Sequence, residues 1–256
     1  IWKNHTERLG VEDYDEDDNG YVDDISGWDF INNDNDPKDD NMHGTHVAGI
    51  AAAVTDNEIG IAGVSWYSKI MPIKVFQSSG RGDAVTITKG IEYAYQNGAT
   101  ILNMSFGGYA ESLTMSLALE NAYAYATLVA ATGNDALCIG PGLCHDFRQS
   151  KPTYPAAYSY VLGVQSNGGF SNYDQDGPIV SKYSNLLNYE IRAPGYKILS
   201  TVPNGGYREL TGTSMSAPLI SGAIALYNEH KPDDSKELLF ANFINTPKAH
   251  NNNWVD

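Results

Sequence analysis

Three short stretches of this chain combine residue types that could carry out acyl transfer. Ser214 lies between a turn, Thr211-Gly212, and a run of small and apolar residues from Ala217 to Tyr227. A serine hydroxyl becomes a useful nucleophile once a base takes its proton, and imidazole titrates near enough to neutrality to be that base. His43 opens His43-Gly44-Thr45-His46-Val47-Ala48-Gly49. Asn134 closes Ala131-Thr132-Gly133-Asn134, just past a strand-like run. Each residue also has an ordinary role. Ser214 reads as a helix cap, Asn134 as a turn residue after Gly133, and His46 as a hydrogen-bonding core histidine. Pro218 is expected in the first turn of the following helix, where its missing N–H costs little. A zinc pair of His43 and His46 lacks both the His-Glu-x-x-His spacing and a third ligand.

The stretch from Glu12 to Asp40 is rich in carboxylates and holds one lysine, Lys38. Within it, Asp15-Glu16-Asp17-Asp18-Asn19-Gly20-Tyr21-Val22-Asp23-Asp24 follows a calcium-loop pattern. Asp15, Asp17, Asn19 and Asp23 fall at ligand positions 1, 3, 5 and 9, Gly20 at the turn, and the Tyr21 carbonyl next. Position 12 is Ser26 rather than a bidentate glutamate, so Asp24 is expected to complete the shell. A solvated acidic loop is the alternative. Arg81-Gly82-Asp83 reads as plain loop.

Those residues need elements to hold them. His46–Val54 reads as a buried helix, Lys69–Val75 as a strand, and Ala84–Gln96 as a helix stopped by Asn97-Gly98. Thr100–Ser105 reads as a strand running into Phe106-Gly107-Gly108, Glu111–Tyr125 as a helix and Thr127–Ala131 as a strand. Short strands are expected at Tyr160–Val164, Glu190–Ala193 and Ile198–Thr201, and Ile1–Asp40 reads as loop. The alternation predicts an α/β three-layer sandwich with a mainly parallel central sheet, in one domain over residues 1–256. The glycines after Ser105 and before Asn134 fall just past strand C-terminal ends, where open α/β sheets build their sites.

At 256 residues and 42% hydrophobic content, the chain can bury one sizeable core. A net charge of −15 argues against a nucleic-acid partner. No run approaches the ~18 apolar residues of a membrane span. Cys138 and Cys144 flank Ile-Gly-Pro-Gly-Leu, a loop able to fold back, so a disulfide is expected, with two free thiols as the alternative. A disulfide would favour a secreted or cell-surface location.

Four motifs in order resemble the subtilisin-like family of serine endopeptidases: His43 to Gly49, Asn103-Met104-Ser105-Phe106-Gly107-Gly108, Ala131 to Asn134, and Gly212-Thr213-Ser214-Met215-Ser216-Ala217-Pro218. The likeness runs from about Asn19 to Pro232. It implies hydrolysis of a polypeptide substrate with Ser214 as nucleophile, His43 as base, and Asn134 with the Ser214 backbone N–H at the oxyanion. It also implies that Ser105, Phe106, Gly107 and Gly108 form the edge that pairs with substrate. Ala131, Thr132, Gly133 and Thr153 would line the first specificity pocket, and a branched Thr153 at its floor points to medium apolar side chains. The family's calcium loop after the histidine helix matches Thr55-Asp56-Asn57-Glu58-Ile59-Gly60-Ile61. Asn57 and the carbonyls of Thr55, Ile59 and Ile61 are the implied ligands of a structural calcium.

In the family, the acid that orients the histidine comes from a strand upstream of it, just before a Ser/Thr-Gly turn. No aspartate between Ile1 and His43 has an apolar strand in front of it. The strand with that aspartate is therefore expected to lie outside residues 1–256, on a cleaved N-terminal fragment or lost by truncation. A pro-segment is a further expected partner. The alternative is a catalytically incomplete calcium-binding or substrate-binding module on the same fold.

Overall fold

Strand β4 (Thr127–Ala131) divides the molecule. Alternate residues of a strand face opposite ways; Leu128 and Ala130 enter one apolar cluster, Val129 and Ala131 another. Both faces are covered, which is why this run is continuously hydrophobic rather than alternating. The structure is a computed structural model that describes residues 1–135, 152–167, 170–172 and 191–244. Cys138 and Cys144, and with them the expected disulfide, lie outside the described residues.

β4 belongs to a parallel sheet in the order β3 (Ile101–Met104), β4, β5 (Leu162–Ser166), β6 (Ile191–Ala193). Met104 stands opposite Ala130, and Ala131 opposite Val164. Helices α3 (Ala84–Gln96) and α4 (Leu113–Tyr123) cover one face with Ile87, Ile91, Met115 and Leu119. Helix α5 (Thr213–His230) covers the other with Ala217, Ile220 and Ile224. Burying a side chain such as Leu119 or Leu128, both fully inaccessible, stabilises the fold by roughly 1.5–3 kcal/mol. This is the expected α/β three-layer sandwich around a parallel sheet.

Helix α2 (His43–Ala52) packs beside α5, and Gly222 is what allows it. A Cβ at Gly222 would lie 2.7 Å from Val64 Cβ and 2.9 Å from the Ala51 carbonyl oxygen. The antiparallel hairpin of β7 (Ile198–Val202) and β8 (Gly206–Leu210) ties α2 down. Ser200 Oγ donates to the His46 carbonyl at 2.7 Å and Thr201 Oγ1 to the Thr45 carbonyl at 3.0 Å. Two-residue strands β1 (Trp28–Asp29) and β2 (Ile73–Lys74) pair in parallel as a separate small sheet. Among the described residues no backbone hydrogen bond joins β2 to β3, although Ile73 and Val75 share a core with Leu102 and Met104.

Several boundaries differ from the sequence-based ones, for identifiable reasons. The strand expected over Lys69–Val75 shortens to β2, because Pro72 has no N–H to give a ladder. The loop expected over Ile1–Asp40 contains α1 (His5–Arg8), capped by the Asn4 side chain, and β1; both are too short to show a period. β8 carries mostly exposed residues, and α6 (Lys236–Ile244) was not expected. Asp83 of Arg81-Gly82-Asp83 caps α3, its carboxylate accepting from Val85 N and Thr86 N. Pro218 sits in the second turn of α5, not the first, because the helix already begins at Thr213.

Replacing Gly222 with valine should destabilise the protein by about 1–3 kcal/mol, because the new side chain overfills the α2–α5 contact. Equilibrium denaturation would read this as a lower midpoint at unchanged slope. An unaltered midpoint would show that the helices do not rest on this contact.

Candidate active site

Pro218 offers no N–H to the carbonyl one turn earlier, that of Ser214. The Ser105 hydroxyl takes that place, donating to the Ser214 carbonyl at 2.9 Å. In return the Ser214 hydroxyl donates to the Ser105 carbonyl at 3.0 Å. Asn103 Nδ2 donates to Ser105 Oγ at 2.9 Å, while Asn103 Oδ1 accepts from Ser221 Oγ at 2.9 Å. The end of β3 is thus fastened to α5 over two turns. Ser214 stands half-buried in the first turn of α5, and the N-cap is Gly212. Ser214 is therefore not a cap.

Asn134 is exposed just beyond β4. Its Oδ1 accepts from Thr213 N at 2.8 Å and from Thr213 Oγ1 at 3.0 Å, and Gly133 N donates to Thr213 Oγ1 at 3.1 Å. With the carbonyl end held, Nδ2 has no hydrogen-bond partner among the described residues. A Cβ built on Gly212 would lie 3.2 Å from it, so it stands at the mouth of α5. The Ser214 N–H, in the first helical turn, has no intrahelical acceptor. Thr213 was not singled out from sequence, although it adjoins Ser214 and carries a hydroxyl.

His43 lies half-buried in the first turn of α2, and its ring makes no hydrogen bond among the described residues. Burial pushes its pKa below the ordinary 6.5; the Asp39 carboxylate pulls the other way, and His46 adds to the depression. Asp39 accepts from Thr45 Oγ1 at 2.6 Å, Thr45 N at 2.7 Å, Met42 N at 2.8 Å and Asn41 N at 2.9 Å. Burial raises its carboxyl, but these bonds outweigh it and hold the group below the usual range. They also shape the entry to α2, where Met42 adopts a left-handed φ of 89°.

His46 is fully buried and donates Nε2–H to the Arg208 carbonyl at 2.8 Å, which leaves Nδ1 without a partner. That ring joins α2 to β8, and its engaged Nε2 argues against a zinc pair with His43. Asp29 is buried and spent on Lys74 Nζ at 2.8 Å, Ile31 N at 2.7 Å and Asn32 N at 3.0 Å. Burial raises its carboxyl, yet Lys74 and these amides bring it below the usual range. Neither Asp29 nor Asp39 hydrogen-bonds to the His43 ring.

Near the end of β4, Thr153 Cγ2 faces both Gly107 and Gly133. It would lie 2.8 Å from a Cβ on Gly107 and 3.5 Å from one on Gly133. Ser105, Ala131, Thr132 and Thr153 are buried around it, and Phe106 packs on Phe76 at 5.1 Å between ring centroids. Gly108 is already paired with Tyr154, N to O at 2.9 and 2.8 Å. Thr132 Oγ1 donates to the carbonyl of Asn172, whose amide side chain also meets this turn.

The acidic loop closes on itself. Asp15 accepts from Asn19 N and Gly20 N, Asp17 from Asn19 N, and Asn19 Oδ1 from Tyr21 N. Asp23 turns its carboxylate to Asp13 N at 2.8 Å. Asp24 instead gathers with Asp17 and with Glu7 of α1, one oxygen of each lying within 4.8 Å of the others. Sequence reasoning missed Glu7, which lies outside the loop pattern. Burial pushes the Glu7 and Asp24 carboxyls up despite the donors they hold, and the Asp17 charge adds to both. In the loop after α2, Asn57 Oδ1 accepts from Ile59 N, and Asp56, Glu58 and Gly60 all have positive φ; Thr55 and Ile61 are half-buried at its ends.

His43 should titrate below 6.5 in an NMR titration of its ring signals, because burial favours the neutral form. Asp39→Asn should lower the value further, since removing the negative charge removes what supports the imidazolium. An upward move in that variant would contradict this electrostatic picture.

Comparison with known proteins agrees with this geometry. A family model described as the Subtilase family matches residues 4–255. Thermitase of Thermoactinomyces vulgaris is 35% identical over 205 residues, 79% of this chain and 66% of that protein. A thermophilic serine proteinase of Bacillus sp. (strain AK1) is 37% identical over 209 residues, 79% of this chain and 46% of that protein. Subtilisin DY of Bacillus licheniformis is 36% identical over 205 residues, 79% of this chain and 69% of that protein. The chain thus spans between about half and two thirds of the length of these relatives. The solved structure of Sphericase superposes with a TM-score of 0.68 at 31% identity, over 81% of this chain and 70% of that one. With the motifs, the sheet order and the family match in agreement, this chain belongs to the subtilase family.

Proposed function

We propose that this chain forms most of a serine endopeptidase that hydrolyses polypeptides through Ser214, His43 and Asn134. The observation that carries the reading is the grip of Thr213 on Asn134 Oδ1, which turns Nδ2 outward at the mouth of α5 beside the serine. In the reaction, the Ser214 hydroxyl leaves the Ser105 carbonyl and gives its proton to His43 as Oγ bonds to the peptide carbonyl carbon. The carbonyl oxygen becomes an oxyanion between Asn134 Nδ2 and Ser214 N–H. His43 then gives the proton to the departing amine, and water repeats the sequence on the acyl-enzyme. Removing such an oxyanion donor costs about 2.7–4 kcal/mol in subtilisin, itself a member of this family.

Substrate backbone would lie along Phe106 and Gly107, since Gly108 is occupied by Tyr154, and Thr153 would limit the first pocket to medium apolar side chains. The acid that steadies His43 would come from a further polypeptide segment. Asp29 and Asp39 are engaged elsewhere, and among the described residues no backbone hydrogen bond joins β2 to β3. A cleaved N-terminal fragment fits that role, and a pro-segment would be a separate partner. We place the enzyme outside the cell or at its surface; among the described residues no helix is long and apolar enough to cross a membrane.

Structural calcium is part of the proposal. Glu7, Asp17 and Asp24 form an oxygen-only cluster whose buried carboxyls are pushed towards protonation, a conflict that a hard cation resolves. With Asp15, Asn19 and the Tyr21 carbonyl from the loop, these residues would hold it. Asn57 and the carbonyls of Thr55, Ile59 and Ile61 would hold a second ion. At the carboxylate cluster the ion would neutralise charge, and at the loop after α2 it would tie neutral oxygens together.

Hydrolysis of a denatured protein substrate tests the enzyme. Wild-type protein with its complementing segment should cleave it, and Ser214→Ala or His43→Ala should each lose at least ~10³-fold in rate. Cleavage that survives Ser214→Ala, or that a chelating agent abolishes while the fold persists, would refute the serine mechanism. Calcium at about 100 times its Kd should raise stability by ~2.7 kcal/mol, or roughly 5–10 °C in Tm for a domain of this size. Asp24→Asn should remove the part of that increment due to this cluster, and an equal calcium response in the variant would exclude the cluster as a site.

A further inference from the structure

The turn Thr132–Asp135 carries Asn134, which is exposed, and the turn is held from two sides. On one side Thr213 grips it. On the other stands Asn172, 4% exposed, with its backbone and side chain both turned towards the same four residues. Its backbone N donates to the Gly133 carbonyl at 2.9 Å, and its carbonyl accepts from Thr132 Oγ1 at 3.2 Å. Its side-chain Oδ1 accepts from Asp135 N at 2.9 Å, while Nδ2 donates to the Thr132 carbonyl at 3.0 Å and to Thr153 Oγ1 at 3.2 Å. Gly133 adopts φ 100°, and a Cβ there would come within 2.5 Å of that Nδ2, so the amide lies directly against the turn.

We propose that Asn172 is a positioning residue for catalysis: its side-chain amide fixes the Thr132–Asp135 turn, and with it Asn134, relative to the floor of the substrate slot at Thr153. The inference rests on the serine-endopeptidase reading and extends it to a residue that touches neither substrate nor oxyanion. Only an asparagine-like end group satisfies the geometry. The acceptor faces Asp135 N, and the donor faces two oxygens that belong to different sides of the slot. An aspartate lacks the donor, and a serine is too short to bridge both. Tyr109 closes the arrangement, its hydroxyl donating to Asp135 Oδ2 at 2.6 Å and lying 3.4 Å from Asn172 Nδ2. Oxyanion binding depends on donors fixed before the charge develops, so a turn that drifts weakens the transition state more than the bound substrate.

The test uses the full protein with its complementing segment, a chromogenic peptide substrate, and the variants Asn172→Ala, Asn172→Asp and Asn134→Ala. Asn172→Ala should lower kcat by about 10–100-fold with KM within ~3-fold, short of the ~10²–10³-fold that the donor itself is worth in subtilisin. Asn172→Asp keeps the acceptor for Asp135 but sets a buried carboxylate against the Thr132 carbonyl, so it should lose at least as much as Asn172→Ala. Protection of the β4 amides guards against a variant that merely fails to fold. In the Asn134→Ala background the Asn172→Ala loss should disappear, because the residues act through one interaction. Amide hydrogen exchange gives a readout independent of activity. Asp135 should exchange faster in Asn172→Ala, while the β4 amides of Leu128–Ala131 stay protected. Losses that multiply in the double variant, an effect on KM alone, or an unchanged Asp135 amide would overturn the proposal. If wild-type protein cleaves nothing, the endopeptidase reading fails, and the exchange arm still decides whether Asn172 holds the turn.

Discussion

One missing backbone donor organises the centre of this molecule. Pro218 lies inside α5, so the Ser214 carbonyl must find a partner outside its own helix, and the Ser105 hydroxyl supplies it. Because Ser105 terminates the path of β3 and Ser214 begins that of α5, this exchange fixes a strand end against a helix start. The reciprocal bond from Ser214 Oγ to the Ser105 carbonyl holds the hydroxyl at the mouth of the helix. A helix proline costs about 3 kcal/mol where nothing compensates for it. Here the compensation is also what locates the proposed nucleophile.

The electrostatics around His43 follow from how the carboxylates nearby are used. Asp39 is committed to the amides and hydroxyl that begin α2, and Asp29 to Lys74, so each is stabilised as an anion without reaching the imidazole. His43 is left half-buried beside one fixed negative charge and one neighbouring histidine, a setting that favours its neutral, proton-accepting form. The same separation of roles recurs in the acidic loop. Asp23 is drawn off to an amide, while Glu7, Asp17 and Asp24 are left to share one small space. In both places it is the hydrogen-bond partner, not the residue type, that decides what a carboxylate can do.

Much of the fold was legible in the sequence because its elements carry their own signals. Ala84–Gln96 has helical spacing and an Asn-Gly stop, and the helix occupies those residues. Thr127–Ala131 is an apolar run of strand length, and β4 matches it. Elements without such signals were not legible: β1 has two residues, β8 faces solvent, and β2 is cut short by Pro72. At the site, the motifs pointed to Ser214, His43 and Asn134, but not to what holds them. Thr213 and Asn172 act through hydrogen bonds to residues up to 80 positions away, as from Gly133 to Thr213. No local pattern encodes a partner at that distance. Glu7 escaped for the same reason, since it joins the acidic loop through space rather than through the loop's own spacing.

The central claim is that Ser214 is a nucleophile poised beside an oxyanion donor, and a fluorophosphonate probe addresses it most directly. Such a probe bonds to a serine oxygen only where that oxygen is activated and its phosphoryl oxygen can be held. Incubation of the folded protein together with the N-terminal segment proposed to complete it, followed by peptide mapping, should find one adduct, on Ser214, and that adduct should be strongly reduced in Asn134→Ala. A folded protein that carries no adduct on Ser214, or carries it on another serine, would contradict the account.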